Sequence, residues 1–228
     1  MPLSIRVWSM CRRTSRAMAA SPTVPWALAD GLRRYRRAVS QIPTEQTKWT
    51  IHGERMVDEN RHIRLSVASV ELPNGVHFDQ YVIRLPRCVM TAVLDEAGEK
   101  ILLIWRHRFI IDRWDWEVPG GYADPGEDPA VTAVREAEEE TGWRPRSVEF
   151  LLSFQPMVGS ADAPQDLYLA RGADLVGEPH VDEAEAVRWV PLDEAQQLID
   201  RGEIVGAATV MAVLHARAAR ATAPRHNP

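Results

Sequence analysis

Residues 121–143 read GYADPGEDPAVTAVREAEEETGW, and this stretch decides the fold. Asp128 is a strong N-cap, Pro129 suits the first helical position, and Gly142 stands just past the last periodic residue, so the spacing predicts a helix over Pro129–Thr141. Ala130, Val134 and Ala137 recur at i, i+4 and i+7 and give that helix an apolar face to lay on a core. Glu136, Glu139 and Glu140 fall at i, i+3 and i+4, which crowds three carboxylates into one patch. Like charges at this spacing repel each other. One reading is a solvated acidic face; the other is a divalent cation whose binding turns the repulsion into affinity. With the apolar face fixing the helix, the acidic patch must face something specific. Hard oxygen ligands of this kind suit magnesium, which keeps several waters and shares its shell with substrate phosphates. Just before the helix, Gly120, Gly121, Pro125 and Gly126 supply backbone able to turn sharply beside a phosphate or a metal.

On both sides of this segment the texture is that of strands. Trp49–Met56, His62–Leu72, Val76–Leu85, Cys88–Leu94 and Ile101–Trp105 precede it; Val148–Gln155, Asp166–Ala170 and Ala186–Val190 follow. The Pro73-Asn74-Gly75 turn predicts a hairpin between the second and third strands. Two further helices are expected, at Leu192–Arg201, stopped by Gly202, and at Ala207–Ala219. Strands with few helices and no regular βαβ alternation predict an α+β chain or an α-β-α layered domain.

The chain has 228 residues, 45% apolar and 26% charged, which excludes disordered, collagen-like and low-complexity classes. Charged residues or His interrupt every apolar run before it reaches the ~18–20 residues that span a bilayer, so no membrane partner is expected. Cys11 and Cys88 show no metal-ligand pattern and read as reduced thiols, which fits a cytoplasmic protein. The net charge of −5 divides unevenly: residues 1–45 carry eight Arg against Asp30 and Glu45, a balance of +6, and the remainder carries −11. The basic head reads as a nucleic-acid arm or targeting peptide, or as an extended start with Met10 or Met18 as the initiator, or as a solvated surface helix over Trp26–Val39. The expected organisation is a basic extension over 1–45, flexible or partly helical, a small antiparallel β-domain over 46–86, a main domain over 87–220 and a disordered tail over 221–228.

Gly121, Glu127, Arg135, Glu136, Glu139, Glu140 and Gly142 match Gly-x5-Glu-x7-Arg-Glu-U-x-Glu-Glu-x-Gly-U, with U apolar, so the segment resembles the Nudix box. Ala137 stands where a branched aliphatic is usual, and Trp143 takes the last apolar position. The resemblance implies the Nudix fold, an α/β/α sandwich with a mixed sheet, here preceded by the small β-domain. It further implies that Glu136, Glu139, Glu140 and the Gly120 carbonyl hold Mg²⁺ or Mn²⁺. Arg135 and Glu127 would orient those glutamates, and Gly121 and Gly142 would shape the box. The reaction implied is hydrolysis of a nucleoside diphosphate linked to another group, and clustered carboxylates with divalent metals suit that chemistry on their own account.

Features outside the box narrow the resemblance. IWRHRF at 104–109 and WEVPGG at 116–121 are similar to the arrangement in ADP-ribose and nucleoside-diphosphate-sugar pyrophosphatases. On that likeness Arg108 contacts the pyrophosphate or terminal ribose, Glu117 bonds a sugar or base, and Arg106 stands where Gln is usual. Core packing is the competing reading for Trp114 and Trp116. Phe154-Gln155-Pro156 resembles a loop near the distal part of the substrate and makes Pro156 a candidate contact. Asp182-Glu183-Ala184-Glu185 resembles the loop that supplies the general base, with Glu183 slightly favoured over Glu185; a merely acidic loop is the alternative. The subfamily's N-terminal β-domain implies a homodimer. The leading expectation is therefore a small-molecule nucleotide hydrolase acting on ADP-ribose or a related nucleoside-diphosphate sugar. A broader hydrolase of nucleoside triphosphates or dinucleoside polyphosphates, and a non-catalytic ligand sensor or RNA-associated module, are the alternatives.

Overall fold

The computed structural model describes residues 47–179 and 184–222, and from Trp49 onward these form one compact unit. The basic head with Cys11 and its expected helix, the candidate base Glu183, and residues 223–228 lie outside the described residues. In chain order the elements are β1 (Thr50–Glu59), β2 (Arg64–Glu71), β3 (His77–Arg84), β4 (Cys88–Leu94), β5 (Lys100–Arg108), β6 (Arg113–Glu117) and β7 (Gly120–Tyr122). Then come α1 (Pro129–Thr141), β8 (Trp143–Pro145), β9 (Val148–Phe154), β10 (Ala161–Asp162), β11 (Gln165–Arg171), β12 (Ala173–Leu175), β13 (Ala186–Pro191), α2 (Leu192–Asp200) and α3 (Ala207–Thr222).

The larger sheet runs β13-β5-β4-β11-β9, with β6 added to β5 and β7 to β4. It is mixed: β11 lies parallel to β4 from Gln165↔Cys88 to Arg171↔Leu94, and the other pairs are antiparallel. The two-residue period of β4 feeds two cores. Met90, Ala92 and Leu94 pack with Leu192, Ala195 and Leu198 of α2 and Ala212, Val213 and Ala216 of α3. Val93 packs instead with Ala137 of α1, and Val89 with Ala133. Because both faces are covered, Ile101–Ile104 of β5 read as an unbroken apolar run, all of it fully buried. This is the α/β/α sandwich expected from the sequence.

The smaller sheet has the order β1-β2-β3-β10. Its first three strands are antiparallel and the predicted turn is present, Gly75 N donating to Leu72 O and Val76 N to the Asn74 side chain. It is not wholly antiparallel: β10, from the far side of the box helix, pairs parallel with β3 through Ala161↔Ile83. Strands β6, β7, β8, β10 and β12 have no counterpart among the predicted ones. They are two to five residues long and are specified by their partners more than by their own pattern. The last helix runs to Thr222, past the expected boundary at 220.

Helix α1 has the predicted limits. The Asp128 carboxylate accepts from Ala130 N at 2.9 Å, and Gly142 adopts φ +74°, the left-handed conformation that closes the helix by donating its N–H to Glu138 O. Its buried face differs from the predicted one. Ala133 and Ala137 are fully buried, Ala130 is half-buried against Val89 and Tyr168, and Val134 belongs to none of the core clusters. The reason lies in the sheet beneath: Thr91, fully buried on β4, donates its hydroxyl to Ala133 O at 3.0 Å and sets the helix's rotation. That rotation carries Glu140 onto the buried side.

Candidate active site

The site is assembled where β7, α1 and the β5–β6 pair converge. β7 pairs with β4 through Gly121↔Val89 and Gly120↔Met90 and runs beside α1. A Cβ at Gly121 would lie 2.5 Å from the Glu136 carboxylate, so glycine there is what lets Glu136 pack against the strand. Gly120 N donates to Glu140 Oε2 at 2.8 Å. Together with Arg106 and Arg108 of β5, these residues line a cleft of about 590 Å³ that also includes Arg135 and Glu185.

The charges are tightly knit. Glu140 is buried, and burial pushes its carboxyl up to about 7 against the opposing pull of Arg106, whose Nη2 donates to Glu140 Oε1 at 2.5 Å. Arg106 Nε lies 3.8 Å from Glu117 Oε2 and is a buried donor with no hydrogen-bond partner among the described residues, the kind of group an anionic oxygen satisfies. Arg108 forks onto both Glu117 oxygens, its Nε at 2.7 Å, so Glu117 holds Arg108 without itself lining the cleft. Burial, with the nearby Glu136 and Glu140 charges, pushes the Cys88 thiol up to about 12, which makes it a packing group and no nucleophile.

Arg135 ties the box together. Its Nε donates to Glu127 Oε1 at 3.0 Å, its Nη2 to Glu127 Oε2 at 2.9 Å, and its Nη1 to Glu136 at 2.7 Å and Glu139 at 3.1 Å. Glu127 also accepts from Asp124 N and the Thr132 hydroxyl, and Arg135 above all holds its carboxyl down at about 2. Glu127 thus closes the loop ahead of α1 and aims Arg135, which in turn braces Glu136.

The predicted metal set is brought together only in part. Glu136, Glu140 and Gly120 line the cleft, an all-oxygen donor group with one carboxyl whose charge is opposed by burial, which fits a hard divalent cation. Glu139 does not line it; its half-exposed carboxylate joins Glu138 and Arg144 along a neighbouring groove. Pro156 is half-buried and does not line the cleft either. His107, Trp114, Tyr122, Asp124 and Ala184 line it without having been singled out as contacts. His107 and Trp114 are cross-strand partners on β5 and β6, so reading 113–117 as a strand would have found them together. Trp114 stacks on Trp105 with centroids 5.8 Å apart, and Tyr122 stacks on His62 at 5.1 Å, which brings the β1–β2 turn to the cleft.

The family described as NUDIX domain matches residues 84–210. The chain is 50% identical over 168 residues to the CMP-5'-(N-acetyl-N-hydroxy-3-aminopropyl)phosphonate hydrolase of Streptomyces rubellomurinus, covering 73% of this chain and 81% of that protein. It is 31% identical over 164 residues to the ADP-ribose pyrophosphatase of Bacillus subtilis, covering 71% and 88%. Among solved structures, one titled as an ADP compounds hydrolase superposes with a TM-score of 0.68 at 21% identity, covering 80% of this chain and 99% of that one, and this likeness speaks to the fold.

Proposed function

The chain belongs to the Nudix hydrolase family, and from that premise we propose that it hydrolyses the P–O–P linkage of ADP-ribose or a related nucleoside-diphosphate sugar, with Mg²⁺ as its metal. The observation that carries the reading is the cleft that sets Glu136, Glu140 and Gly120 beside Arg106 and Arg108. Enzymes of the family act on small nucleotides and use divalent ions. In this chain Glu136, Glu140 and the Gly120 carbonyl would hold them. Bound there, such an ion neutralises the pyrophosphate and acidifies a water.

Arg108, fixed by Glu117, presents a permanent charge to one phosphate. Arg106, whose Nε has no hydrogen-bond partner among the described residues, gives a second donor for a phosphate oxygen. A carboxylate from the 182–185 segment takes the proton of the attacking water; Glu185 lines the cleft, and Glu183 stands two residues before it in the sequence. The attack breaks one P–O bond and releases a nucleoside monophosphate and a sugar phosphate.

A second substrate reading rests on the identity to the Streptomyces protein, whose name specifies a CMP-linked phosphonate. The same machinery suits that linkage, since a nucleoside 5'-phosphate is again joined to a second phosphorus group. Initial rates of the full chain with Mg²⁺ on ADP-ribose, a nucleoside-diphosphate sugar, a CMP-linked phosphonate and ATP separate these readings. Highest kcat/KM on ADP-ribose or the sugar nucleotide is expected; preference for the phosphonate would favour the second reading, and preference for ATP would reject both.

A homodimer through the first sheet is part of the same proposal. All ten residues of β1 are exposed, Ile51 and Val57 among them, on an edge strand whose outer side pairs with no strand among the described residues. Light scattering of Ile51→Lys should show a monomer where the unaltered chain shows a dimer.

A further inference from the structure

Outside the cleft, the end of the first sheet gathers three side chains with a different chemistry. We propose that His52, Glu71 and His77 form a second metal site, selective for a zinc-type transition ion; it stands or falls independently of the hydrolase reading. Glu71 closes β2 and His77 opens β3, and the Pro73–Gly75 turn folds them opposite each other as a registered pair. His52 reaches the same spot because β1 is bulged there: pairing runs from Ile51↔Val70 directly to Gly53↔Ser69, so His52 is the extra residue, re-aimed along the sheet.

The distances suit a tetrahedral ion. His52 Nε2 lies 2.7 Å and His77 Nε2 3.6 Å from the same oxygen, Glu71 Oε2, and all three ligand atoms fall within 4.8 Å of one another. Ligands about 2.0–2.1 Å from a tetrahedral zinc stand ~3.3 Å apart, within the range spanned by those two contacts. Two imidazoles and one carboxylate favour zinc over magnesium, whereas the all-oxygen donors of the cleft favour the reverse. Each of the three side chains reaches solvent, so an ion can enter and keep a fourth position for water. Occupied, the site would clip three strands together and pin the edge strand β1.

The test uses the full chain stripped with EDTA and then given saturating Mg²⁺ to fill the cleft. Co²⁺ is titrated by its visible absorption and Zn²⁺ by calorimetry, in the unaltered chain, Glu140→Gln, Glu71→Gln and the double variant His52→Ala/His77→Ala. The expected result is one transition ion per chain in the unaltered protein and in Glu140→Gln. Its affinity should fall at least about tenfold in Glu71→Gln, and it should be lost in the double variant, whose Mg²⁺-dependent hydrolysis is unchanged. Imidazole ¹⁵N shifts of His52 and His77 on adding Zn²⁺ give the same answer without any substitution. Binding of equal affinity in the double variant, or unshifted His52 and His77 resonances at saturating Zn²⁺, would overturn the proposal and leave the cluster an ordinary surface ion pair.

Discussion

Glu127 and Glu140 flank the two ends of one helix, thirteen residues apart, and their surroundings drive them in opposite directions. Glu127 accepts from Nε and Nη2 along one edge of the Arg135 guanidinium, from Asp124 N and from Thr132, and its carboxyl is held down at about 2. Glu140 is buried deeper, has one guanidinium and one backbone N–H, and is pushed up to about 7. A carboxylate held ionised by its hydrogen-bond partners braces the fold; one whose charge is opposed by burial gains from a cation beside it. The box therefore contains two kinds of glutamate that the sequence writes identically.

The largest effect expected from this contrast is on turnover. Glu140→Gln keeps the shape and removes the charge, so hydrolysis should fall roughly 10³-fold, the equivalent of several kcal/mol of lost transition-state stabilisation. Initial rates at saturating Mg²⁺ measure it. Glu185→Gln should cost about 10²-fold in kcat if that residue takes the proton; a near-normal rate together with a deficient Glu183→Gln would assign the role to Glu183. Glu127→Gln should act more gently, weakening Mg²⁺ affinity ~10–100-fold because Arg135 loses its anchor while the cleft carboxylates remain. Arg135→Lys should resemble it, since an ammonium cannot fork onto Glu127 and reach Glu136 together.

The smallest effect is on stability, and its sign follows from the Glu127 shift. A carboxyl lowered from 4.5 to about 2 stabilises the fold above the ordinary carboxylate range, and that contribution disappears as pH falls from 4.5 through about 2. The Tm gap between the unaltered chain and Glu127→Gln should therefore be widest near neutrality and shrink steadily below pH 4.5, as thermal scans across that range would show. A gap that stays constant to pH 2 would mean that Glu127 does not carry this charge-dependent stabilisation.

Much of this contrast was legible in the residues. Asp128, Pro129 and Gly142 marked the helix limits, Cys88–Leu94 read as a strand, and the seven box positions pointed to the cleft. The helix's rotation was not legible. Val134 is the larger apolar side chain and draws the predicted face toward itself, whereas a hydroxyl on another element, Thr91, selects Ala133. Glu139, adjacent to Glu140 and so ~100° around the helix from it, lines the neighbouring groove instead of the cleft. Strand β7 is specified by pairing with β4, so the meeting of Tyr122 with His62 had no local signal, whereas that of His107 with Trp114 needed only 113–117 read as a strand beside β5.

Calorimetric titration of Mn²⁺ into the EDTA-treated full chain, Glu127→Gln and Glu140→Gln tests the central claim most directly. Tight binding in the unaltered chain, measurably weaker binding in Glu127→Gln and near-complete loss in Glu140→Gln are predicted. Mn²⁺ affinity in Glu140→Gln equal to that of the unaltered chain would contradict the account.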